Sequence, residues 1–165
     1  MKRVILDTNI YGRIIERKEA EEIREKLELK RDIIIYGFDV VRKELRVTSK
    51  KVRIEKKSLR LALLGIYDHL TQRHLMSTTS LIRNLADDYY ETYKQLGGKY
   101  SKEELMNDFL IVACASIHEL DIVVSDDNDT MLSENALRAY TIVNKLRKHR
   151  LPQFIGYDSF GRLLA

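Results

Sequence analysis

Two acidic segments of the sequence could do metal chemistry, and each directly follows a run of apolar residues. Near the start of the chain, Val4-Ile5-Leu6 leads into Asp7-Thr8-Asn9, and much later Ile122-Val123-Val124 leads into Ser125-Asp126-Asp127-Asn128-Asp129. Grouped carboxylates repel one another unless a cation holds them, and hard oxygen ligands of this kind suit Mg²⁺ or Mn²⁺. The pattern therefore predicts an acidic site for a divalent metal.

The elements around these segments can position their side chains. Both apolar runs resemble short strands, and in an open α/β sheet ligands and catalytic groups sit just outside the carboxyl ends of parallel strands. A third acidic residue, Asp108, lies in a helix predicted from Ser101 to about Leu120, which starts with a capping box formed by Ser101 and Glu104. The middle of that helix is apolar on every side, so an unpaired charge there would be costly.

Alternating strand and helix patterns predict an α/β fold. The helices predicted at 59–75 and 78–96 are expected to form a helical hairpin inserted into the α/β core, with Gly97-Gly98 closing the second helix. A length of 165 residues fits a single domain over 1–165. Strands are predicted at 4–6, 33–36, 122–124 and 154–156, and further helices at 14–29, 39–45, 132–146 and 159–164.

Composition excludes several classes of protein. No apolar stretch approaches the roughly 20 residues of a membrane span, and no long apolar run follows the first residues, so a cytoplasmic protein without membrane contact is expected. Cys114, the single cysteine, excludes an intramolecular disulfide and is expected to be a packed thiol. The four histidines lack zinc spacing, and no Gly-rich phosphate loop or nucleophile elbow is present.

The positive charge of the chain is concentrated in one segment. Nine basic and two acidic residues lie between Arg42 and Arg60, so this segment has a net charge of +7, whereas the whole chain has +4. Such a segment can attract a phosphate backbone, or it can be an ordinary solvated surface. If this segment binds a phosphate backbone, the residues expected to contact RNA are Arg46, Lys50, Lys51, Arg53, Lys56 and Lys57.

Four ordered motifs of the sequence resemble those of the PIN-domain nucleases, and together they span nearly the whole chain. They are Asp7-Thr8-Asn9, Val41-Arg42-Lys43-Glu44-Leu45, Asn107-Asp108-Phe109-Leu110-Ile111-Val112-Ala113-Cys114-Ala115, and Val124-Ser125-Asp126-Asp127-Asn128-Asp129. The resemblance implies a Rossmann-like three-layer fold, with a parallel central sheet flanked by helices, and a metal-dependent ribonuclease site. It extends to the VapC-like toxins of toxin–antitoxin pairs, which implies an antitoxin partner and a homodimer.

The resemblance also assigns roles to individual residues. It implies a catalytic cluster of Asp7, Glu44, Asp108 and Asp127. It further implies that Asp7, Asp108 and Asp127 bind Mg²⁺ or Mn²⁺, with Asp129 as an accessory ligand, while the hydroxyls of Thr8 and Ser125 support the site. Such a metal would supply an activated water and stabilise the charge that develops during phosphodiester hydrolysis.

The sequence departs from the family pattern in three places. Asp126 and Asp127 are adjacent, so either could be the last ligand, and the family spacing of a hydroxyl, any residue and an aspartate favours Asp127. Thr130 stands where an aromatic residue is common. The segment between Glu44 and Asp108 is longer than in compact toxins of this type.

Simpler interpretations of the same residues stay open. Asp7 could be a helix cap after a strand, Glu44 could be an exposed salt-bridging residue, and the segment 126–129 could be a plain acidic turn. A haloacid-dehalogenase-like phosphatase would need a second aspartate where Asn9 stands, and a response-regulator receiver would need a lysine late in the fold at a strand end. The remaining alternative is a non-catalytic PIN-like module that binds RNA or serves in assembly.

Overall fold

A parallel sheet forms the centre of the protein. The computed structural model describes residues 1–48, 53–54 and 57–165, without the side chains of 48, 53, 54, 57 and 58. Within this part, the strands are β1 (Lys2–Leu6), β2 (Ile33–Phe38), β3 (Arg53–Ile54), β4 (Lys57–Ser58), β5 (Leu75–Met76), β6 (Ile122–Val124) and β7 (Gln153–Ile155). Five of them are parallel and pair in the order β5-β2-β1-β6-β7, and β3 and β4 form a separate antiparallel pair.

Helices connect the strands. They are α1 (Thr8–Glu16), α2 (Ala20–Leu29), α3 (Asp39–Thr48), α4 (Leu59–Thr71), α5 (Ser80–Gln95), α6 (Lys102–Ile117), α7 (Glu134–Arg147) and α8 (Tyr157–Leu164). Helices α1, α3 and α4 contact one another, α5 packs against α6 and α7, and the two groups meet where α3 contacts α6. Helix α8 contacts α2. The predicted α/β fold, with helices flanking a parallel sheet, is confirmed.

The register of the two central strands brings the predicted acidic segments together. Strands β1 and β6 are neighbours, with Val4 opposite Ile122 and Leu6 opposite Val124. Val4, Ile5 and Leu6 are fully buried, which explains why this short apolar run forms the middle of the sheet. Because the two strands end level with each other, the residues that follow them start from one edge of the sheet.

Two predicted helical segments differ from the observed elements. The single helix predicted at 14–29 is two helices, α1 and α2, separated near Lys18, which has a left-handed backbone with φ of 55°. The helices predicted at 59–75 and 78–96 are present as α4 and α5, but Leu75–Met76 forms strand β5 between them. This strand pairs with β2 at the edge of the sheet, so α4 and α5 are joined by a sheet strand and not by a simple hairpin turn.

Helix α6 is buried, as its sequence predicts, and its capping box is present. The hydroxyl of Ser101 accepts from the amide of Glu104, whose carboxylate accepts from the amide of Ser101. Cys114 is buried in this helix, and burial raises the pKa of its thiol to about 12, so the packed thiol is confirmed. In the part of the chain that the structure describes, no helix has both the length and the apolar character needed to cross a membrane.

Candidate active site

Asp7 is fixed at the carboxyl end of β1 by bonds to both of its carboxylate oxygens. Helix α1 begins at the next residue, and the amide of Thr8 donates to Oδ1 of Asp7 over 2.7 Å. The hydroxyl of Ser125, just beyond β6, donates to Oδ2 over 2.7 Å. Asp7 therefore caps α1, and it also faces the end of the neighbouring strand with only 3% of its surface exposed.

Glu44 reaches the same region from helix α3. The hydroxyl of Thr8 donates to Oε1 of Glu44 over 2.8 Å, and the side chain of Asn107 also hydrogen-bonds to this carboxylate. Burial raises the pKa of Glu44, and these two hydrogen bonds oppose the shift. Among the described residues Glu44 makes no ion pair with a lysine or arginine. The interpretation of Glu44 as a surface salt-bridging residue is thus not supported.

Asp108 and Asp127 complete the cluster from α6 and from the loop after β6. The amide of Thr130 donates to Oδ1 of Asp127 over 3.1 Å, and its hydroxyl donates to Oδ2. The amide of Asp127 donates to the hydroxyl of Ser125 over 3.1 Å, which holds the start of this loop against the site. The side chain of Thr130 also interacts with Asp108 and lowers its pKa, which opposes the effect of burial.

The four carboxylates from β1, α3, α6 and the β6 loop line one pocket of about 480 Å³. Burial raises the pKa of Asp7 to about 6, and the negative charges of Glu44 and Asp127 add to the effect. Burial also raises the pKa of Asp108 to about 8, and the charge of Asp7 is the next contribution. Crowded carboxylates with raised pKa values are the electrostatic signature of a site that gains free energy by binding a cation.

Asp126 points away from this pocket. Its Oδ1 accepts from the amide of Tyr157 at the start of α8 over 2.9 Å, and its Oδ2 lies 3.3 Å from Nε of Arg13. A side chain at Gly156 would place its Cβ only 2.9 Å from Oδ1 of Asp126, so the glycine allows this close approach. Of the two adjacent aspartates, Asp127 is the one at the pocket. Asp129 is exposed and does not line the pocket, and its accessory role stays a prediction.

The predicted RNA-binding residues are largely not described by the structure. Arg46 is exposed on α3. Lys50, Lys51 and Lys56 lie outside the described residues, and the same is true of the side chains of Arg53 and Lys57. Their contact with RNA stays a prediction.

The donor set fits a hard divalent cation in its chemistry, but its side chains are not arranged as a finished coordination shell. Among the described residues, no three Asp, Glu, His or Cys side chains are placed to hold one ion. Two of the four carboxylates are engaged by hydrogen bonds, Glu44 with Thr8 and Asp127 with Thr130. Carboxylate oxygens are nevertheless the ligand type that Mg²⁺ and Mn²⁺ prefer.

Comparison with known proteins agrees with this geometry. The sequence matches the PIN domain family over residues 4–136, which is most of the chain and includes all four carboxylates. The chain belongs to the PIN domain family. A search of curated protein sequences found no significant match for this PIN domain.

Solved structures with low sequence identity share its fold. VapBC2 from Rickettsia felis, bound to a DNA fragment from the VapBC2 promoter, has a TM-score of 0.62 and 15% identity, covering 93% of this chain and 98% of that one. DNA-bound VapBC from Salmonella typhimurium has a TM-score of 0.59 and 19% identity, covering 95% and 99%. VapBC-1 from nontypeable Haemophilus influenzae has a TM-score of 0.59 and 11% identity, covering 94% and 98%.

Two residues of the site were not singled out as site residues by the sequence analysis. Thr130 binds Asp127 through both its amide and its hydroxyl, and an aspartate followed three residues later by a threonine is a recognisable turn signal. Asn107 hydrogen-bonds Glu44, whereas in the sequence it stands out only as the neighbour of Asp108. No signal in the sequence indicates that bond, because it depends on how α3 and α6 pack.

Proposed function

We propose that this PIN domain is a Mg²⁺- or Mn²⁺-dependent ribonuclease that hydrolyses phosphodiester bonds of RNA. The single observation that supports this most is the convergence of Asp7, Glu44, Asp108 and Asp127 on one pocket from four separate elements. Burial and mutual repulsion raise the pKa values of Asp7 and Asp108, and a bound divalent cation would relieve this repulsion.

In this proposal the residues have distinct tasks. Asp7, Asp108 and Asp127 would hold the ion, with Glu44 beside them, and Thr8, Ser125 and Thr130 would orient the carboxylates through their hydroxyls. When bound, the ion supplies an activated water and stabilises negative charge on the phosphate. One of the carboxylates accepts a proton from the attacking water as the oxygen of that water bonds to phosphorus. The bond to the leaving oxygen breaks, and that oxygen takes up a proton.

The second candidate function is a non-catalytic RNA-binding or assembly module. The observation that favours it is the absence of three ligands placed around one ion among the described residues. The two candidates differ in metal binding. The proposed nuclease binds Mn²⁺ with displacement of protons from Asp7 and Asp108, whereas the module binds RNA without needing the metal.

The experiment that tests the nuclease is cleavage of single-stranded RNA by purified protein in Mn²⁺ or Mg²⁺, with and without EDTA. Asp7→Asn and Asp108→Asn should each abolish cleavage and keep the fold, because each removes a metal ligand and one of several crowded charges. Asp158→Asn is the matched control, since Asp158 is an exposed aspartate paired with Arg17 on the surface. Cleavage that survives in both site variants would rule out this pocket as the catalyst.

We also propose that this nuclease is the toxin of a toxin–antitoxin pair. The structural neighbours named VapBC support a partner protein, and their likeness to this chain is one of fold. A homodimer and an antitoxin remain expectations from the family. The decisive observation is whether a small reading frame lies immediately upstream, and whether its product copurifies with this chain and suppresses the cleavage.

A further inference from the structure

A second groove adjoins the acidic pocket on the other side of Glu44. It also measures about 480 Å³, within the range of about 300–1,000 Å³ typical of ligand sites. Glu44 lines both spaces, so they meet at this residue. Helices α3, α5 and α6 form the walls of the groove, and Val40 and Leu110 supply part of its apolar surface.

Two cations of the groove have no partner among the residues that the structure describes. Lys43 on α3 and Arg83 on α5 both line it and are exposed, and neither side chain makes an ion pair or hydrogen bond with any residue that the structure describes. Two acidic residues of α3 also line the groove, and both are hydrogen-bonded to other residues. Asp39 accepts from the amide and hydroxyl of Thr78 over 2.9 and 2.7 Å. Glu44 is bound by Thr8 and Asn107. The two cations are therefore free to bind an external anion.

The acidic pocket cannot hold a nucleic acid strand by charge on its own. Its lining contains four carboxylates together with Glu16, and none of its described lining residues is a lysine, arginine or histidine. A strand whose scissile phosphate lies in this pocket must have its flanking phosphates held by cations nearby. Lys43, next to Glu44 in the sequence, and Arg83, across the groove, are placed for that purpose.

We propose that this groove binds the phosphate and sugar of the nucleotide next to the scissile bond, with Lys43 and Arg83 as positioning residues. This rests on the proposed ribonuclease function. Glu44 and the amide of Asn107 separate the two subsites, because Asn107 lines the groove and also hydrogen-bonds Glu44. RNA then passes from the cationic groove across Glu44 into the acidic pocket.

The test measures RNA binding in EDTA, where cleavage plays no part, with a short mixed-sequence single-stranded RNA. The Lys43→Gln, Arg83→Gln double variant should bind roughly tenfold more weakly. The slope of log affinity against log salt should be shallower by about 1.4, since each single-strand phosphate contact contributes about 0.7. With Mn²⁺, KM should rise while kcat changes little, because the cations bind the strand outside the reacting atoms.

The matched control changes the same two residue types at the opposite end of the sheet. Arg31 precedes β2 and Lys145 lies in the last turn of α7, and both are exposed. Arg31→Gln with Lys145→Gln should keep the wild-type affinity and salt slope. The charge-retaining pair Lys43→Arg and Arg83→Lys should bind within about threefold of wild type, because the phosphate contacts depend on charge.

Two results would overturn the proposal. In one, the Gln double variant binds RNA with the affinity and salt slope of the control. The groove would then not bind RNA, and another anion such as an acidic protein segment would be its partner. In the other, the charge-retaining pair is as weak as the Gln pair, which would mean that packing and not charge is responsible. Neither result depends on cleavage, so failure of the nuclease proposal is detected separately by the Mn²⁺ assay.

Discussion

Ser125 donates a hydrogen bond of 2.7 Å from its hydroxyl to Oδ2 of Asp7, which joins the ends of two neighbouring parallel strands. The same hydroxyl accepts from the amide of Asp127 over 3.1 Å. One fully buried oxygen atom thus positions the carboxylate after β1 and the loop after β6. This bond also favours the charged form of Asp7 against the effect of burial.

Ser125→Ala should therefore weaken both stability and metal binding. Without the hydroxyl, the buried carboxylate of Asp7 loses a donor, and the free energy of unfolding at pH 8 in EDTA should fall by about 1–3 kcal/mol. Mn²⁺ affinity, measured by calorimetric titration, should fall about 10- to 100-fold, as is usual for groups that orient metal ligands.

The control for Ser125→Ala is Thr141→Ala on α7. The hydroxyl of Thr141 is exposed and donates only to the carbonyl of Leu137 one turn earlier. Its removal should change stability by less than about 0.5 kcal/mol and leave Mn²⁺ binding unaltered. Equal Mn²⁺ affinity in Ser125→Ala and Thr141→Ala would contradict a positioning role for Ser125.

In EDTA the protein should become less stable as the pH rises from about 4 to about 8. Asp7 and Asp108 have folded pKa values of about 6 and about 8, above the ordinary value of 3.8. Between these limits the folded state binds more protons than the unfolded state, so the free energy of unfolding falls with increasing pH. This loss of stability is absent below pH 4 and complete above pH 8. Urea unfolding at pH 4 and pH 8 measures it.

Asp108→Asn should reduce this pH dependence. The variant removes the carboxyl with the larger shift, so it should be more stable than the wild type by about 1–3 kcal/mol at pH 8 and nearly equal to it at pH 4. Asp158→Asn, an exposed surface change, should keep the wild-type slope. An Asp108→Asn protein with an unchanged or steeper loss of stability would mean that Asp108 is charged and satisfied in the metal-free fold.

The elements of the fold and the residues of the site are predicted best where the sequence signals are local. Strand β6 has the predicted bounds, and the capping box at Ser101 starts α6 where expected, because both depend on residues that are close in sequence. Asp7 and Asp127 could be assigned to one site from the sequence, because each follows a buried strand and parallel strands expose their carboxyl ends at one edge of the sheet.

Features that depend on tertiary packing were not predicted. Strand β5 is two residues long, too short for any period of apolar residues, and it exists because it pairs with Gly37 and Phe38 of β2. The break between α1 and α2 occurs at Lys18, where neither glycine nor proline marks the left-handed residue. Asp126 and Asp127 are a different case: the family spacing favoured Asp127, while the contact of Asp126 with the start of α8, which directs it away from the pocket, was not predicted.

Thr130→Val should separate the role of the Thr130 amide from the role of its hydroxyl. The variant keeps the amide that donates to Asp127 but removes the hydroxyl that serves Asp127 and Asp108. Loss of this donor disfavours the charged form of Asp108, so its pKa should rise further, and Mn²⁺ binding at pH 7 should weaken more than at pH 9. Thr130→Ser restores the hydroxyl and should restore wild-type affinity at both pH values. Equal affinity of the Val and Ser variants would contradict the role of the hydroxyl.

The two adjacent aspartates provide the sharpest matched pair, because Asp126→Asn and Asp127→Asn remove the same charge one residue apart. Asp127→Asn should lose RNA cleavage and the stabilisation by Mn²⁺, which for the wild type is about 2.7 kcal/mol at a metal concentration 100 times Kd. Asp126→Asn should keep both, since Asp126 faces Arg13 and the amide of Tyr157. It should instead lower stability by about 1 kcal/mol through its weaker bond to the start of α8. The reverse pattern, with cleavage lost only in Asp126→Asn, would show that the site recruits Asp126 by a rearrangement of α8.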